Sequence, residues 1–167
     1  MNKYLIYTKN LGMRFIAKED LKYLQTIDKD PEVKEFFPEG TLTDKQIKAF
    51  ISKSILSCKN KQLPCFVIFH LKDGEFVGEA YFGQLDTGEF KVGYLIHKKY
   101  WNKGYATEIL EALLDWAKKY IDTEYIIAYA DKNNTASFRV MEHCGMEYYK
   151  EGRYLDMDCS YYRIKIQ

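Results

Sequence analysis

Apolar positions along this chain recur with two different periods, and the switches between them mark its elements. Met13–Ala17 is a short apolar run that predicts a first strand. Leu21, Leu24 and Ile27 then fall at helical spacing, predicting a helix over Lys18–Ile27. Asp30-Pro31-Glu32 restarts the chain, because proline suits a first helical turn and no later one. Thr43-Asp44-Lys45-Gln46 is a capping-box pattern, and Ile47, Phe50, Ile51 and Ile55 form the apolar stripe of the helix it opens. Pro64–Leu71, Phe76–Leu85 and Phe90–Ile96 read as strands. They are separated by turn signals at Lys72-Asp73-Gly74-Glu75 and Asp86-Thr87-Gly88, so an antiparallel meander is expected. Ala106–Tyr120 is the clearest helix, with Ile109, Leu110, Leu113, Leu114 and Ala117 on one stripe and charged residues opposite. A strand at Tyr125–Ala130 follows, then a helix over Asn134–His143 ending at Gly145, and strands near Met146–Lys150 and Cys159–Ile166. The order β-α-α-β-β-β-α-β-α-β-β predicts an α+β sheet with a parallel β-α-β crossover around the strongest helix.

Composition narrows the function classes. A length of 167 residues suits one domain spanning 1–167. Lys plus Arg number 25 and Asp plus Glu 24, and a net charge of +1 removes the electrostatic case for a nucleic-acid binder. The longest uncharged stretches, Leu63–Leu71 and Tyr125–Ala130, are too short to span a bilayer, and Met1–Asn10 shows no secretory h-region. Cys58, Cys65, Cys144 and Cys159 contain no C-x-x-C and read as reduced thiols of a cytoplasmic protein, with no metal expected. The aromatic share is 16%, with 15 Tyr against 2 Trp, so some tyrosines are expected to line a groove.

The segment richest in chemistry runs from Val92-Gly93-Tyr94-Leu95-Ile96 through His97–Lys103 into Gly104-Tyr105-Ala106-Thr107-Glu108. A strand enters a short loop that opens directly onto an amphipathic helix. The first N–H groups of a helix lack internal partners, and the macrodipole adds positive potential there. Small residues at 104 and 106 let a phosphate approach the backbone, and Lys103 adds a charge at the rim. The segment is neither G-x-G-x-x-G nor a Walker loop, which disfavours a dinucleotide or nucleoside triphosphate. On these residues alone an ordinary strand-to-helix turn with a packing glycine fits equally well.

Trp101-Asn102-Lys103-Gly104-Tyr105-Ala106 resembles the [Q/R/W]-x-x-G-x-[G/A] acetyl-CoA motif of the GCN5-related N-acetyltransferase (GNAT) superfamily. The longer run Tyr100-Trp101-x-Lys103-Gly104-Tyr105-Ala106-Thr107-Glu108 is similar to the ribosomal-protein N-terminal acetyltransferase branch. So is the element from Asn134 through Ser137 to Gly145-Met146, and upstream Arg14, Asp20 and Asp30-Pro31-Glu32-Val33 fit the same pattern.

The resemblance implies a mixed, mostly antiparallel central sheet splayed between the fourth and fifth predicted strands, with helices on both faces and acetyl-CoA in the gap. It implies that Leu95 and Ile96 pair with the pantetheine arm, that the Trp101–Thr107 loop (Trp101, Asn102, Lys103, Gly104, Tyr105, Ala106, Thr107) takes the pyrophosphate, and that Asn134 hydrogen-bonds the cofactor. Ser137 would lie near the sulfur. Departures are Asn102 for the usual Gly, Met146 for Phe, Lys91 where a Glu is common, and Met141 where many members carry a Tyr acid. Ser137 as weak acid and Glu79 as base are the catalytic candidates, with Glu89 a further carboxylate; each of the two Glu also reads as an exposed strand-end carboxylate. Phe36, Phe37, Tyr81 and Tyr94 are candidates for an aromatic acceptor groove or for the core. The implied activity is acetyl transfer from acetyl-CoA to a primary amine, first a protein or peptide N-terminal α-amine. A polyamine or aminoglycoside, or a catalytically weak acyl-CoA-binding module, are the alternatives. The expected protein is a monomer or homodimer with no nucleic-acid or membrane partner.

Overall fold

Cys65–His70 is apolar at every position but the last because it is buried on both faces: Phe66 and Ile68 point to one side of a sheet, Cys65, Val67 and Phe69 to the other. The computed structural model describes residues 3–167, and this segment is one of eight strands: β1 (Ile6–Tyr7), β2 (Leu11–Phe15), β3 (Cys65–His70), β4 (Phe76–Gln84), β5 (Phe90–Ile96), β6 (Tyr125–Asp131), β7 (Glu147–Tyr154) and β8 (Met157–Lys165). They form a single sheet in the order β1-β2-β3-β4-β5-β6-β8-β7. Every neighbouring pair is antiparallel except β5 and β6.

Four helices cover the sheet: α1 (Leu21–Asp28), α2 (Asp44–Lys61), α3 (Tyr105–Tyr120) and α4 (Thr135–His143). Leu24 of α1 with Ile47 and Ile51 of α2 pack on the Val67 and Phe69 face. The α3 stripe of Ile109, Leu110, Leu113, Leu114 and Ala117 packs on the opposite face against Phe66, Ile68, Ala80, Phe82 and Val92. Burying each large aliphatic side chain there stabilises the fold by about 1.5–3 kcal/mol. The capping box that opens α2 forms as expected: the Gln46 N–H donates to Thr43 Oγ1 at 3.2 Å, and the Thr43 N–H to Gln46 Oε1 at 2.8 Å.

Three details depart from the sequence-based expectation. β1 was not expected, since two residues carry no period. Asp30-Pro31-Glu32 opens only turns, and the whole 29–43 segment stays irregular between α1 and α2. β7 continues past Lys150 to Tyr154, its charged and exposed residues held by pairing with β8 rather than by an apolar face.

Two irregularities of the sheet position its chemically important groups. Between Ile68↔Gly78 and Phe69↔Phe76 the register of β3 against β4 slips, leaving Val77 as an extra residue. That bulge reverses the facing of β4, so Glu79 points toward α1. Gly78 is required beside it, because a Cβ there would collide with the Leu95 carbonyl oxygen. On the other edge, β5 pairs with β6 only at Phe90↔Ile126 and Lys91↔Ile127. Beyond Lys91 the two parallel strands diverge. Among the described residues no helix is long and apolar enough to cross a membrane.

Candidate functional site

The divergence of β5 and β6 opens a cleft of about 570 Å³ that runs through the sheet. On the α3 side its walls are Tyr94, Ile96, the loop from Trp101 to Thr107, and Asn134 and Ser137 at the start of α4. On the α1 side they are the Glu32–Glu39 turn segment, Tyr81, Lys91, Tyr129, and Tyr154 of the β7–β8 hairpin.

Main-chain groups of β5 face this gap without strand partners. The His97 N–H donates to the Val77 carbonyl at 2.8 Å, so position 97 is turned toward β4. By strand alternation Leu95 is also turned toward β4, and Tyr94 and Ile96 toward the gap. The Ile96 carbonyl there accepts from the Trp101 indole Nε1–H at 2.8 Å, which ties the loop to the strand end.

At the far end of the loop, Asn102 and Gly104 both adopt the left-handed conformation, with φ of 61° and 81°. Asparagine tolerates that region better than other side chains, so the departure at 102 keeps the turn. Gly104 is the N-cap of α3 and supplies no side-chain cap. The Tyr105, Ala106 and Thr107 N–H groups therefore stand at the positive helix end with no intrahelical acceptor, while Glu108 N–H closes the first turn onto Gly104 at 3.2 Å. A Cβ built on Gly104 meets nothing within 4 Å, so the approach is open. Glu108 itself is held by the hydroxyl of Thr8 and by the Asn10 backbone and side chain, at 2.7 and 3.0 Å for the latter two. Burial opposes its ionisation, but these donors outweigh it and keep the carboxyl below the usual range.

Unpaired strand edge, open gap and uncapped helix start suit a thioester carried on a pantetheine arm that ends in a pyrophosphate. Residues 10–147 match the family described as "Acetyltransferase (GNAT) domain". The chain belongs to the GNAT acetyltransferases. It is 32% identical over 145 residues to the uncharacterized N-acetyltransferase YnaD of Bacillus subtilis, covering 84% of this chain and 81% of that one. A GNAT-family acetyltransferase structure from Bacillus anthracis is 27% identical, with a TM-score of 0.81 over 96% of this chain and 98% of that one. The ribosomal L7/L12 α-N-protein acetyltransferase RimL in complex with coenzyme A superposes with a TM-score of 0.83, over 98% of each chain at 16% identity, a likeness of fold. This GNAT chain is accordingly an acetyl-CoA-dependent N-acetyltransferase, and its splayed mixed sheet with helices on both faces is the one the resemblance implied.

Against that assignment, most sequence-chosen residues gather in one place. Leu95, Ile96, Trp101, Asn102, Gly104, Tyr105, Ala106, Thr107, Asn134 and Ser137 all line the cleft. Leu95 contributes its side chain, since its main chain serves β4. Lys103 is exposed and outside the wall. The Asn134 side-chain oxygen is already engaged, capping α4 by accepting the Ser137 N–H at 3.3 Å, which leaves its NH₂ as the free donor.

Two placements go beyond the sequence reading. The hydroxyl of Tyr94 is buried in the cleft wall with no hydrogen bond; burial pushes its pKa up to about 12, and the Ser137 hydroxyl nearby pulls the other way without bonding geometry. The sequence offered Tyr94 as a groove or core aromatic but not its place beside Ser137. Glu79 is not an exposed strand-end carboxylate: it is buried at 3% exposure, and its Oε2 has no partner. Burial and Asp28 push its pKa well up, against the pull of Lys34. Asp28, pushed up to about 6 by burial and eased by Lys34, lies 3.8 Å from that ammonium. Glu79 is the register partner of Leu95 and is not among the residues that line the cleft.

Proposed function

We propose that this acetyltransferase acts on the α-amine at the N-terminus of a protein or peptide. The observation that supports this reading is a single cleft joining the helix terminus, through the gap, to a chamber walled by Phe36, Phe37, Tyr81, Tyr129 and Tyr154. Those aromatic faces suit the side chains that follow a chain-end amine. An α-amine loses its proton near pH 8, against about 10 for a lysine-like amine, so it asks less of the site.

Acetyl-CoA supplies the thioester carbonyl that the amine attacks. The Tyr105, Ala106 and Thr107 N–H groups hold the pyrophosphate, and the gap-facing groups of Tyr94 and Ile96 hold the arm as an added strand would. The Ile96 N–H is the donor for the developing oxyanion. Ser137 gives a proton to the departing sulfur, with the Tyr94 phenol beside it as the second donor. A thiol with a pKa of about 8.5 needs little help, so Met141 in the usual tyrosine position is tolerated. Glu79 is the base of this reading and takes the amine proton only through water, because its carboxyl does not open on the cleft.

Thiol release tests this reading, measured with acetyl-CoA and a panel of short peptides, spermidine and an aminoglycoside. Acetylated peptide N-termini are expected, with Glu79→Gln lowering kcat by roughly 10²–10⁴ and removing a rise of rate with pH. Turnover confined to spermidine or the aminoglycoside would replace the acceptor, and acetyl-CoA binding without turnover on any amine would leave an acyl-CoA-binding module.

A further inference from the structure

The acceptor chamber contains an ammonium that the transfer itself does not use. Lys91 occupies the last β5 position paired with β6. Its register partner on β4 is Gly83, and a Cβ there would sit 2.9 Å from Lys91 Cε, so the missing side chain makes room for the lysine stem. The ammonium donates to the Tyr129 hydroxyl at 3.0 Å and stands 5.2 and 6.0 Å from the Tyr129 and Tyr81 ring centres. Among the described residues no carboxylate lies within ion-pair distance of it. Glu39 acts on it only from farther off and is itself 3.7 Å from Lys34. Burial lowers the Lys91 pKa from the ordinary lysine range.

This half-buried ammonium keeps two of its three donors for a ligand, and Tyr154 and Glu39 offset only part of its desolvation cost. A carboxylate brought by a ligand offsets it through charge-assisted hydrogen bonds. Tyr129 accepts from Lys91 and so keeps its own O–H, and the Tyr154 ring, 6.1 Å from that of Tyr129, places a further hydroxyl on the same wall. The other carboxylates on the cleft are of two kinds. Glu32 is matched by Lys98 at 3.3 Å, whereas Glu35 has no cationic partner among the described residues. The chamber thus offers a carboxylate for the incoming amine and, apart from it, a cation for an anion.

We propose that Lys91 determines acceptor specificity by receiving a carboxylate, so that the preferred acceptor is a peptide with Asp or Glu among the residues just after its α-amine. This rests on the N-terminal reading above and sharpens it. Polyamines, cationic along their length, meet Lys91 as a like charge.

The test compares peptides sharing one N-terminal residue and carrying Glu, Gln or Lys at the second and third positions, together with spermidine. kcat/KM is measured for the parent protein and for Lys91→Met, Lys91→Arg and Lys91→Glu. The parent is expected to prefer the Glu peptide over the Gln peptide by about tenfold or more, as suits hydrogen bonds to charged groups. Lys91→Arg keeps a preference of the same sign, Lys91→Met abolishes it, and Lys91→Glu turns it toward the Lys peptide. A melting shift with acetyl-CoA shows that each variant is folded. Equal kcat/KM for the three peptides, or a preference unchanged in Lys91→Met, overturns this inference alone. Acetylation of spermidine and of no peptide overturns the N-terminal reading and this inference with it.

Discussion

Replacing Gly104 by Asp and, separately, by Asn isolates the charge at the start of α3 from the shape of its backbone. The two side chains are nearly isosteric, and both tolerate the left-handed φ of 81° better than most residues. Nothing lies within 4 Å of a Cβ at this position, so neither variant clashes. The backbone cost is bounded by the left-handed penalty of about 1–2 kcal/mol, less for these two residues. At roughly 2–4 °C per kcal/mol for a chain of this size, a fall in Tm of a few degrees is expected for both. Their affinities for coenzyme A should differ far more. A negative charge about 4 Å from a phosphate costs about 1 kcal/mol in water and about 4 at an effective dielectric of 20. With about 1.36 kcal/mol per factor of ten, G104D should bind roughly five-fold to a thousandfold more weakly than G104N. Isothermal titration with coenzyme A, at low and high salt, measures the difference, which salt should shrink. Equal affinities for the two variants would refute a pyrophosphate at this helix end.

Acetyl-CoA at a hundredfold excess over its Kd should stabilise the protein by about 2.7 kcal/mol, raising Tm by roughly 5–10 °C in a melting scan; no shift would argue against the gap as its site. Ser137→Ala should lower kcat with little change in coenzyme A affinity, and adding Tyr94→Phe should lower it further; parent-like turnover in the double variant would leave protonation of the thiolate to water. Asp20→Ala removes a carboxylate that accepts from Arg14 at 2.8 and 2.9 Å and from the Ala17 N–H at 2.7 Å. A loss of about 2–3 kcal/mol is expected, visible as a lower urea midpoint at unchanged slope. Glu108 has a depressed folded pKa, so its stabilisation is present above its unfolded value of about 4.3 and is lost as pH falls through the folded one. Glu108→Gln should therefore flatten the acid limb of a stability-versus-pH curve while leaving the neutral plateau lower, and an unchanged acid limb would count against that role.

Local periodicity is what a single sequence records, and here it placed the four helices, the meander, the parallel crossover and the loop that opens α3. The Thr43–Gln46 capping box and the left-handed Asn102 are likewise short-range matters, decided within a few residues of backbone. Arg14 and Asp20, six positions apart, were legible as a resemblance and turned out to be an ion pair across one turn. Other outcomes depended on strands far apart in the chain. The extra residue at Val77 turns Glu79 from the α3 face of the sheet into a buried cluster with Asp28 and Lys34, because a bulge shifts parity and leaves no mark in an apolar run. Tyr94 meets Ser137, and Lys91 meets Tyr129, only where β5 and β6 stop pairing. No spacing along the chain encodes the distance between two strands that do not touch.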